Sequence, residues 1–327
     1  MYNLKKFNSH SEYTSFTGTS EFIKPNVSYC VEEDDVHYTQ IPRDYSQDYL
    51  TFDIISGGTI KFTSSNTGFT RTIYHSEDDG HRWFSLTSST GGTAFDVSAG
   101  DKVLFTGPNS TYGEGNTLFV SFKGSTAVFN IYGNIMSLID NTFMYGEDLT
   151  LQSAYTFYLL FQETNVINAE NLILPATGLT NNCYAYMFRR CALLEKAPVL
   201  PAMTLANNCY QGMFNSCESL TSAPVLPAMT LANNCYQGMF NGCTSLTSAP
   251  VLPAPTLTNY CYATMFGFCS NLSSITCLAT DISASNCTQN WVNGVASSGT
   301  FTKAASMASW TTGVGGIPEG WTVQNAS

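Results

Sequence analysis

Charged residues are scarce in this chain. They make up 11% of its 327 residues, against roughly 25% in ordinary soluble proteins. The net charge is −11, and residues 183–327 contain only four acidic and four basic residues, so the acidic excess lies in residues 1–182. A protein that binds DNA or RNA needs many Lys and Arg side chains on one face. We therefore expect no nucleic-acid partner.

Long apolar runs are also missing. The first residues, MYNLKKFNSHSEYTSF, contain two lysines but no apolar stretch after them, so they do not resemble a signal peptide. No segment approaches the roughly 18 apolar residues of a membrane span. If residue 1 is the natural start, we expect a protein that stays in a cytoplasm or leaves it inside a particle, without membrane insertion. A chain whose leader had been removed would look the same.

Catalytic signatures are lacking as well. All four His residues precede residue 82, and the chain has no Walker loop, H-E-x-x-H, G-x-S-x-G or dinucleotide fingerprint. One cluster of titratable residues lies near predicted turns: His75, Asp78, Asp79, His81 and Asp101. Any two carboxylates can meet in space as a glycosidase pair, so a glycan-cleaving enzyme is a remote alternative. We expect no enzyme, no catalytic residue and no cofactor.

Cysteine, in contrast, is plentiful and regularly spaced. Of the eleven Cys residues, eight fall in two series at 26-residue intervals. The series are Cys183, Cys209, Cys235, Cys261 and Cys191, Cys217, Cys243, Cys269. Zinc sites use closer pairs supported by His, so we expect no metal site. The spacing favours columns of buried thiols, since free Cys behaves as a small apolar residue; disulfides are the alternative.

The same interval marks a sequence repeat. Aligned on the first cysteine, the copies read CYAYMFRRCALLEKAPVLPAMTLANN (183–208), CYQGMFNSCESLTSAPVLPAMTLANN (209–234) and CYQGMFNGCTSLTSAPVLPAPTLTNY (235–260). A drifting fourth copy covers 261–286, and LPATGL at 174–179 is a partial copy upstream. Such self-similarity indicates stacked units that share one core.

Each copy contains two local patterns. In the first, apolar residues recur at i, i+4 and i+8, which predicts a short helix with Asn207 and Asn208 as N-cap residues. These apolar residues are Cys209, Tyr210, Met213, Phe214 and Cys217. The second pattern is a short extended segment from Leu220, in which Pro224 and Pro227 limit the hydrogen-bonded strand to very few residues.

The pattern C-Y-x-x-M-F-x-x-C-x-x-L, followed by A-P-V-L-P-A-x-T-L, resembles the BspA-like (Treponema-type) leucine-rich repeat over roughly 155–290. The pattern departs from the commoner consensus L-x-x-L-x-L-x-x-N. This departure favours a compact, partly irregular solenoid over a regular horseshoe. Members of this family occur on surface proteins of Bacteroides-type bacteria and on proteins encoded by their phages. The resemblance implies adhesion or interaction rather than catalysis.

Residues 48–140 are predicted to form an antiparallel β-sandwich. Eight runs rich in Thr, Phe, Tyr and Val alternate with turn signals such as GG, SNTG and DDG. The runs are YLTFDIIS, GTIKFTSS, TRTIYHS, RWFSLT, TAFDVS, KVLFTG, TLFVSF and AVFNIYG. Asp78, Asp79 and Gly80 form the tip of a predicted hairpin, where paired acids are more commonly turn formers than calcium ligands.

Residues 1–47 contain the one dense acidic run, at 32–35, within EFIKPNVSYCVEEDDVHYTQIP. The segment PNVSYC…VHY resembles the N-terminal leader of phage-encoded proteins from the same bacterial group, which implies docking onto a larger assembly. The contact residues so implied are Pro25, Asn26, Val27, Tyr29, Val36, His37 and Tyr38. An extra edge strand packed on the sandwich is an equal alternative.

Residues 291–327 are predicted to cap the last repeat, because an array of stacked units leaves its end open. Trp310 and Trp321 are the candidates for covering the exposed core. A sugar platform formed by these tryptophans is the alternative.

The predicted fold is thus mixed α+β: the β-sandwich, a leucine-rich-repeat solenoid of period 26 over 141–290, and the C-terminal cap. The predicted function is that of a non-enzymatic phage virion protein, a head or tail fibre or a decoration, exposed on the particle surface. Its N-terminal segment docks onto other virion proteins, and its solenoid binds a host-surface glycan or protein. A homo-oligomer is compatible with the sequence, and a bacterial cell-surface adhesin is the alternative.

The residues do not identify the binding face of the repeats. Positions that vary within the repeat register are expected at the surface. They are Arg189, Arg190, Glu195, Lys196, Gln211, Asn215, Gln237 and Asn241.

Overall fold

A computed structural model describes residues 3–7, 27–31, 49–139, 150–307 and 310–326 of the chain. The regular structure of these residues consists of β-strands and one 3-10 helix at Ile135–Leu138, without an α-helix. The first two strands, β1 (Asn3–Phe7) and β2 (Val27–Val31), pair with each other in parallel.

The next strands form two sheets that enclose a common core. They are β3 (Leu50–Ser56), β4 (Gly58–Ser64), β5 (Thr72–Ser76), β6 (Phe84–Thr87), β7 (Thr93–Val97), β8 (Lys102–Thr106), β9 (Gly113–Glu114), β10 (Leu118–Ser121), β11 (Val128–Asn134), β12 (Asn165–Val166) and β13 (Leu172–Ile173). The smaller sheet has the order β7-β4-β10-β9, and the larger has the order β12-β11-β3-β8-β5-β6, with β13 also paired to β11. Each of the eight runs predicted as strands contains a strand of the structure.

Alternation of side chains explains how these strands face their core. In β11, Phe129 and Ile131 are buried while their neighbours are partly exposed, and in β4 the same holds for Ile60 and Phe62. Phe52 of β3 stacks on Phe129, with ring centroids 4.4 Å apart and planes at 6°. Phe52 also contacts Phe122, which directly follows β10 of the smaller sheet, edge to face at 4.9 Å, and this contact joins the two sheets into one interior.

The predicted repeat helix does not form. In the segment 209–217, every second residue donates its N–H to the next repeat: Tyr210 to the Cys235 carbonyl (3.1 Å) and Gly212 to the Gln237 carbonyl (2.8 Å). The residues between them donate to the carbonyl three positions back, as Met213 does to Tyr210 (3.2 Å). The i→i−4 bonds of an α-helix are therefore replaced. The predicted mixed α+β fold with a leucine-rich-repeat solenoid is wrong, because the described residues form several sheets, isolated bridges and turns.

A left-handed residue closes each four-residue turn of these segments. Asn208, Gly212 and Ser216 have φ of 56°, 56° and 58°. Equivalent residues of the other repeats are left-handed too: Tyr155, Leu159, Glu163, Asn182, Tyr186, Arg190, Asn234, Gly238, Gly242, Tyr260, Thr264, Phe268, Asn286, Asn290 and Gly294. The period is thus four residues rather than the 3.6 of a helix. Asn208, expected as an N-cap, is the first left-handed residue instead.

Two glycines at equivalent positions allow a test of this turn geometry. Gly212 and Gly238 have φ of 56° and 61°, and an added Cβ would lie 2.2 Å from Cε1 of Tyr186 at Gly212, but 3.4 Å from Oγ1 of Thr264 at Gly238. We expect Gly238→Ala to lower the free energy of unfolding by about 1–2 kcal/mol through left-handed strain. Gly212→Ala should cost about 1 kcal/mol or more beyond that, because the Tyr186 ring must move. Urea denaturation measures both; no loss at either glycine would contradict the left-handed turn, and equal losses would contradict the close approach of Tyr186 to Gly212.

Aromatic rings stack from repeat to repeat in two columns. The first column is Tyr112, Phe157, Tyr184, Tyr210, Tyr236, Tyr262 and Trp291. The second is Phe122, Phe161, Phe188, Phe214, Phe240, Phe266 and Trp291. Neighbouring ring centroids lie between 5.4 Å and 6.3 Å apart. Because both columns begin at rings packed among the N-terminal sheets, sheets and repeats share one hydrophobic core.

The C-terminal residues cover the end of both columns. Trp310 stacks on Trp291 with centroids 5.7 Å apart, and Trp321 is buried and donates Nε1–H to the Ala296 carbonyl at 2.8 Å. Three parallel strands, β14 (Ser274–Cys277), β15 (Thr300–Lys303) and β16 (Thr322–Asn325), form the sheet of this end. The two tryptophans are thus packed on the core rather than presented as an exposed platform.

Candidate functional site

The segment that follows each turn region alternates its side chains between core and solvent. Leu226 and Ala228 are buried, whereas Val225 is 75% exposed and Met229 is 52% exposed. The same alternation in neighbouring repeats produces a continuous exposed set, which we call the valine face. It consists of Ile173, Val199, Met203, Val225, Met229 and Val251.

Backbone bridges keep the valine face in register. Lys196 bridges Ser222 in parallel, and Thr204 bridges Thr230, on either side of the V-L-P-A-M stretch. Between these bridges the prolines interrupt a regular ladder, as expected from their missing N–H groups. Val, Pro and Met of successive repeats therefore lie side by side at the spacing of neighbouring strands, about 4.8 Å.

The valine face is nearly free of charge. Between residues 197 and 280 the sequence contains a single charged residue, Glu218. Contiguous exposed apolar surfaces are uncommon on soluble proteins and usually mark interaction sites. The arrangement is suited to contact with another apolar surface rather than to proton transfer.

A polar cleft of about 800 Å³ adjoins the valine face at its N-terminal end. Its walls include Asp53, Lys102 and Tyr132 from the larger sheet, and Glu170 from the loop before β13. The Lys102 ammonium lies 5.9 Å from the centroid of the Tyr132 ring. Ile173, Val199 and Pro201 also line the cleft, so polar and apolar surfaces are continuous here.

The titratable residues singled out in the sequence are held by turn contacts. Asp78 accepts hydrogen bonds from the Arg82 side chain (2.6 Å) and from Ser76 (2.9 Å), and the Arg82 hydrogen bond lowers the pKa of Asp78 to about 2. His81 Nδ1 lies 2.5 Å from the Asp78 carbonyl oxygen, while Asp79 is left-handed. These contacts close the turn, and the Arg82 side chain already binds the Asp78 carboxylate.

His75 and Asp101 make other contacts than the residues of that turn. His75 is buried and its ring stacks on Phe95 at 3.9 Å; burial lowers its pKa. Its Nδ1 lies 3.4 Å from Glu77 Oε1 without making a hydrogen bond. Burial, with Asp101 and Asp78 nearby, raises the pKa of Glu77, a residue that the sequence did not single out. Asp101 accepts a hydrogen bond from the Ser98 N–H at 2.7 Å.

The cysteines between residues 183 and 287 lie in the core as free thiols. The ten described cysteine side chains are all buried, and in the second series each thiol donates to a phenylalanine carbonyl of the preceding repeat. Cys217 donates to Phe188 at 3.1 Å and Cys243 to Phe214 at 3.2 Å. Burial raises the pKa of Cys191 to about 11 and that of Cys269 to about 12. Such thiols remain protonated and are poor nucleophiles.

The other candidate residues differ in whether they are described and in how exposed they are. Of the docking residues, Val27 and Tyr29 lie in β2, where they pair with Asn3 and Lys5 of β1; Pro25, Asn26, Val36, His37 and Tyr38 lie outside the described residues. Among the variable repeat positions, Arg190, Glu195 and Lys196 are exposed. Arg189, Gln211, Asn215, Gln237 and Asn241 are half-buried.

The described residues contain no group of three or more His, Cys, Asp or Glu side chains able to share a metal ion. In the same part of the chain no helix is long and apolar enough to cross a membrane. Comparison with protein-family models, curated proteins and solved structures finds no match. The geometry is therefore the main support for a functional assignment.

Sequence reasoning missed the valine face, although its signal is present. In V-L-P-A-M the exposed and buried residues alternate with period two, the pattern of a half-buried strand. Val199 and Met203 were not among the positions expected at the surface. Exposure follows only from the register of Leu200 and Ala202, which point inward.

Proposed function

We propose that this protein is a non-enzymatic virion structural and adhesion protein, a head or tail fibre or a decoration, whose stacked repeats present a recognition surface. The observation that carries the proposal is the valine face, a regular, uncharged apolar surface on a closely stacked scaffold. The resemblance to BspA-like repeats supports the same role. The partner of this face is a protein with an apolar, uncharged surface of its own, because charged groups would be desolvated without a counter-charge.

Fractionation tests the assignment to the virion. Mass spectrometry is applied to density-purified phage particles and to the envelope fraction of the host culture. We expect peptides of this protein in the particles at a constant ratio to capsid protein. Peptides found only in the envelope fraction would refute the virion role and favour the adhesin.

A matched pair of variants tests the valine face itself. In this assay the purified protein competes with particles for adsorption to host cells. We expect Val225→Asp to compete at least about tenfold more weakly than the wild type, because a buried unpaired carboxylate costs several kcal/mol at an interface. Thr221→Asp adds the same charge at an exposed position of the same repeat, outside the valine face, and should compete like the wild type. Equal competition by both variants and the wild type would exclude the valine face from adsorption.

A further inference from the structure

A second feature of the repeats lies on the turn segments, away in sequence from the valine face. Asn215 and Asn241 occupy equivalent positions, and the Asn215 amide donates to the Asn241 Oδ1 at 3.4 Å. One turn earlier, Gln211 donates to Gln237 Oε1 at 2.8 Å. All four amides are half-buried. Asn215 Oδ1 also accepts from Ser216 Oγ at 3.2 Å, and Asn241 Nδ2 donates to the Thr264 carbonyl at 3.3 Å. Since a carboxamide has two donors and two acceptor lone pairs, each still retains hydrogen-bonding capacity.

The asparagine pair leads directly to an exposed aromatic ring. The next position in its column is Gly267, and a Cβ there would lie 2.5 Å from Nδ2 of Asn241, so this amide extends over the glycine. Phe268, the adjacent residue, is 60% exposed. The Asn241 amide thus lies beside the residue that directly precedes Phe268 in the chain.

Phe268 is held in a costly backbone conformation. Its φ is 59°, a left-handed value that is an outlier for a bulky residue. The equivalent residues of the repeats before and after are Gly242 and Gly294, which adopt the same region without strain. A Cβ on Gly294 would lie 3.3 Å from the Phe268 ring. Because glycine has no side chain, this side of the ring stays uncovered. Other bulky residues share this conformation, but Tyr186 and Tyr260 are half-buried, whereas the exposed Phe268 ring adds little packing to the fold.

The chemistry of this surface selects among ligands. Glu218 is the one charged residue between positions 197 and 280, so a charged ligand finds little counter-charge. A purely apolar ligand would cover the remaining N–H groups and lone pairs of these amides without bonding them, at a free-energy cost. A sugar ring satisfies both parts, because its C–H face packs on an aromatic ring and its hydroxyls both donate and accept hydrogen bonds.

We propose that Phe268, with Asn241 and Asn215, binds a neutral carbohydrate chain, with a sugar ring stacked on Phe268 and hydroxyls bound by the amides. This inference rests on the proposed recognition function and names a ligand class for a site separate from the valine face.

Binding of neutral oligosaccharides tests the proposal. The full chain is titrated by calorimetry with cellohexaose, laminarihexaose, xylohexaose and mannohexaose, with heparin as the charged control. We expect at least one neutral hexasaccharide to bind with a dissociation constant below about 1 mM, and heparin not to bind. Phe268→Gly should weaken that binding at least tenfold.

The thermal unfolding midpoint separates binding from a structural role. Because glycine relieves the left-handed strain at position 268, Phe268→Gly should unfold at the wild-type temperature or higher while losing the sugar. Val225→Ser, on the valine face, should bind the sugar like the wild type. Absence of binding to all four neutral probes at millimolar concentration would overturn the proposal, as would undiminished binding by Phe268→Gly. Particle fractionation and the Val225→Asp competition test the virion role independently of these results.

Discussion

Replacement of Phe214 by alanine is expected to lower the free energy of unfolding by about 3–5 kcal/mol. Phe214 is fully buried, and its ring stacks between Phe188 at 5.7 Å and Phe240 at 5.8 Å. Alanine would leave a cavity in the middle of a column whose neighbours are fixed by backbone bonds to the adjacent repeats. The column cannot shorten to fill the gap, so the loss should be near the upper part of the range.

Val225→Ala in the same repeat is the matched control for this substitution. Val225 is 75% exposed, so its truncation should change the free energy of unfolding by no more than about 0.5 kcal/mol. Urea denaturation followed by tryptophan fluorescence and by circular dichroism measures both variants. Similar small losses for the two would show that the Phe214 ring is not enclosed as described.

Raising the pH above 9 is expected to destabilise the protein steeply. Burial raises the pKa of the core thiols above the ordinary value of 9.0, to about 11 for Cys191 and about 12 for Cys209 and Cys277. The folded state therefore keeps these protons while the unfolded chain loses them. The resulting stability is fully present below pH 9 and is lost as the pH rises toward 12.

The number of thiols makes this effect large. One proton difference changes the free energy of unfolding by about 1.4 kcal/mol per pH unit. For the ten buried thiols the slope approaches roughly 10 kcal/mol per pH unit above pH 9, which is comparable with the whole stability of an ordinary domain. We expect unfolding within about one pH unit.

Urea denaturation between pH 7.5 and 10 measures this slope. Cys243→Ala removes one fully buried thiol and should reduce the slope by about 1.4 kcal/mol per pH unit, whatever its effect on stability at neutral pH. A stability that stayed flat to pH 10 would mean that these thiols are solvated or already oxidised.

The local strand pattern of residues 48–140 was readable from the sequence, but the conformation of the repeats was not. Runs rich in Thr, Phe, Tyr and Val, bounded by turn signals, identified eight strands, and in strands such as Val128–Asn134 buried and half-buried side chains alternate. In the repeats, spacings of four residues over Cys209, Met213 and Cys217 fit either a helix or a chain of four-residue turns. The two periods differ too little over nine residues to be separated by apolar spacing alone.

The signal that separates them lies in other residues. Gly212 and Gly238 stand in the middle of the expected helix, where glycine costs about 1 kcal/mol, and Asn208 and Asn234 precede them by four. Glycine and asparagine are the residues that tolerate a left-handed backbone. Their recurrence at intervals of four therefore indicates turns closed by left-handed residues, which an analysis based on apolar positions overlooks.

The candidate surfaces were predictable to different degrees. The valine face follows from alternation once Leu226 is assigned to the core. Phe268 was not identifiable, because in the sequence it is one more aromatic residue in an aromatic repeat, and its exposure depends on a left-handed turn. Cys30 and all seven docking residues fall where side chains are not described.

Thiol labelling of the folded protein tests the central claim, that the repeats stack into one closed interior, most directly. The protein is treated with N-ethylmaleimide at pH 7.5, with and without urea, and each cysteine peptide is quantified by mass spectrometry, so that Cys30 is scored separately. We expect the ten cysteines from residue 183 to residue 287 to stay unmodified in the folded protein and to react fully in urea. Reaction of Cys217 or Cys243 at the rate of a free thiol in the folded state would contradict the stacked interior.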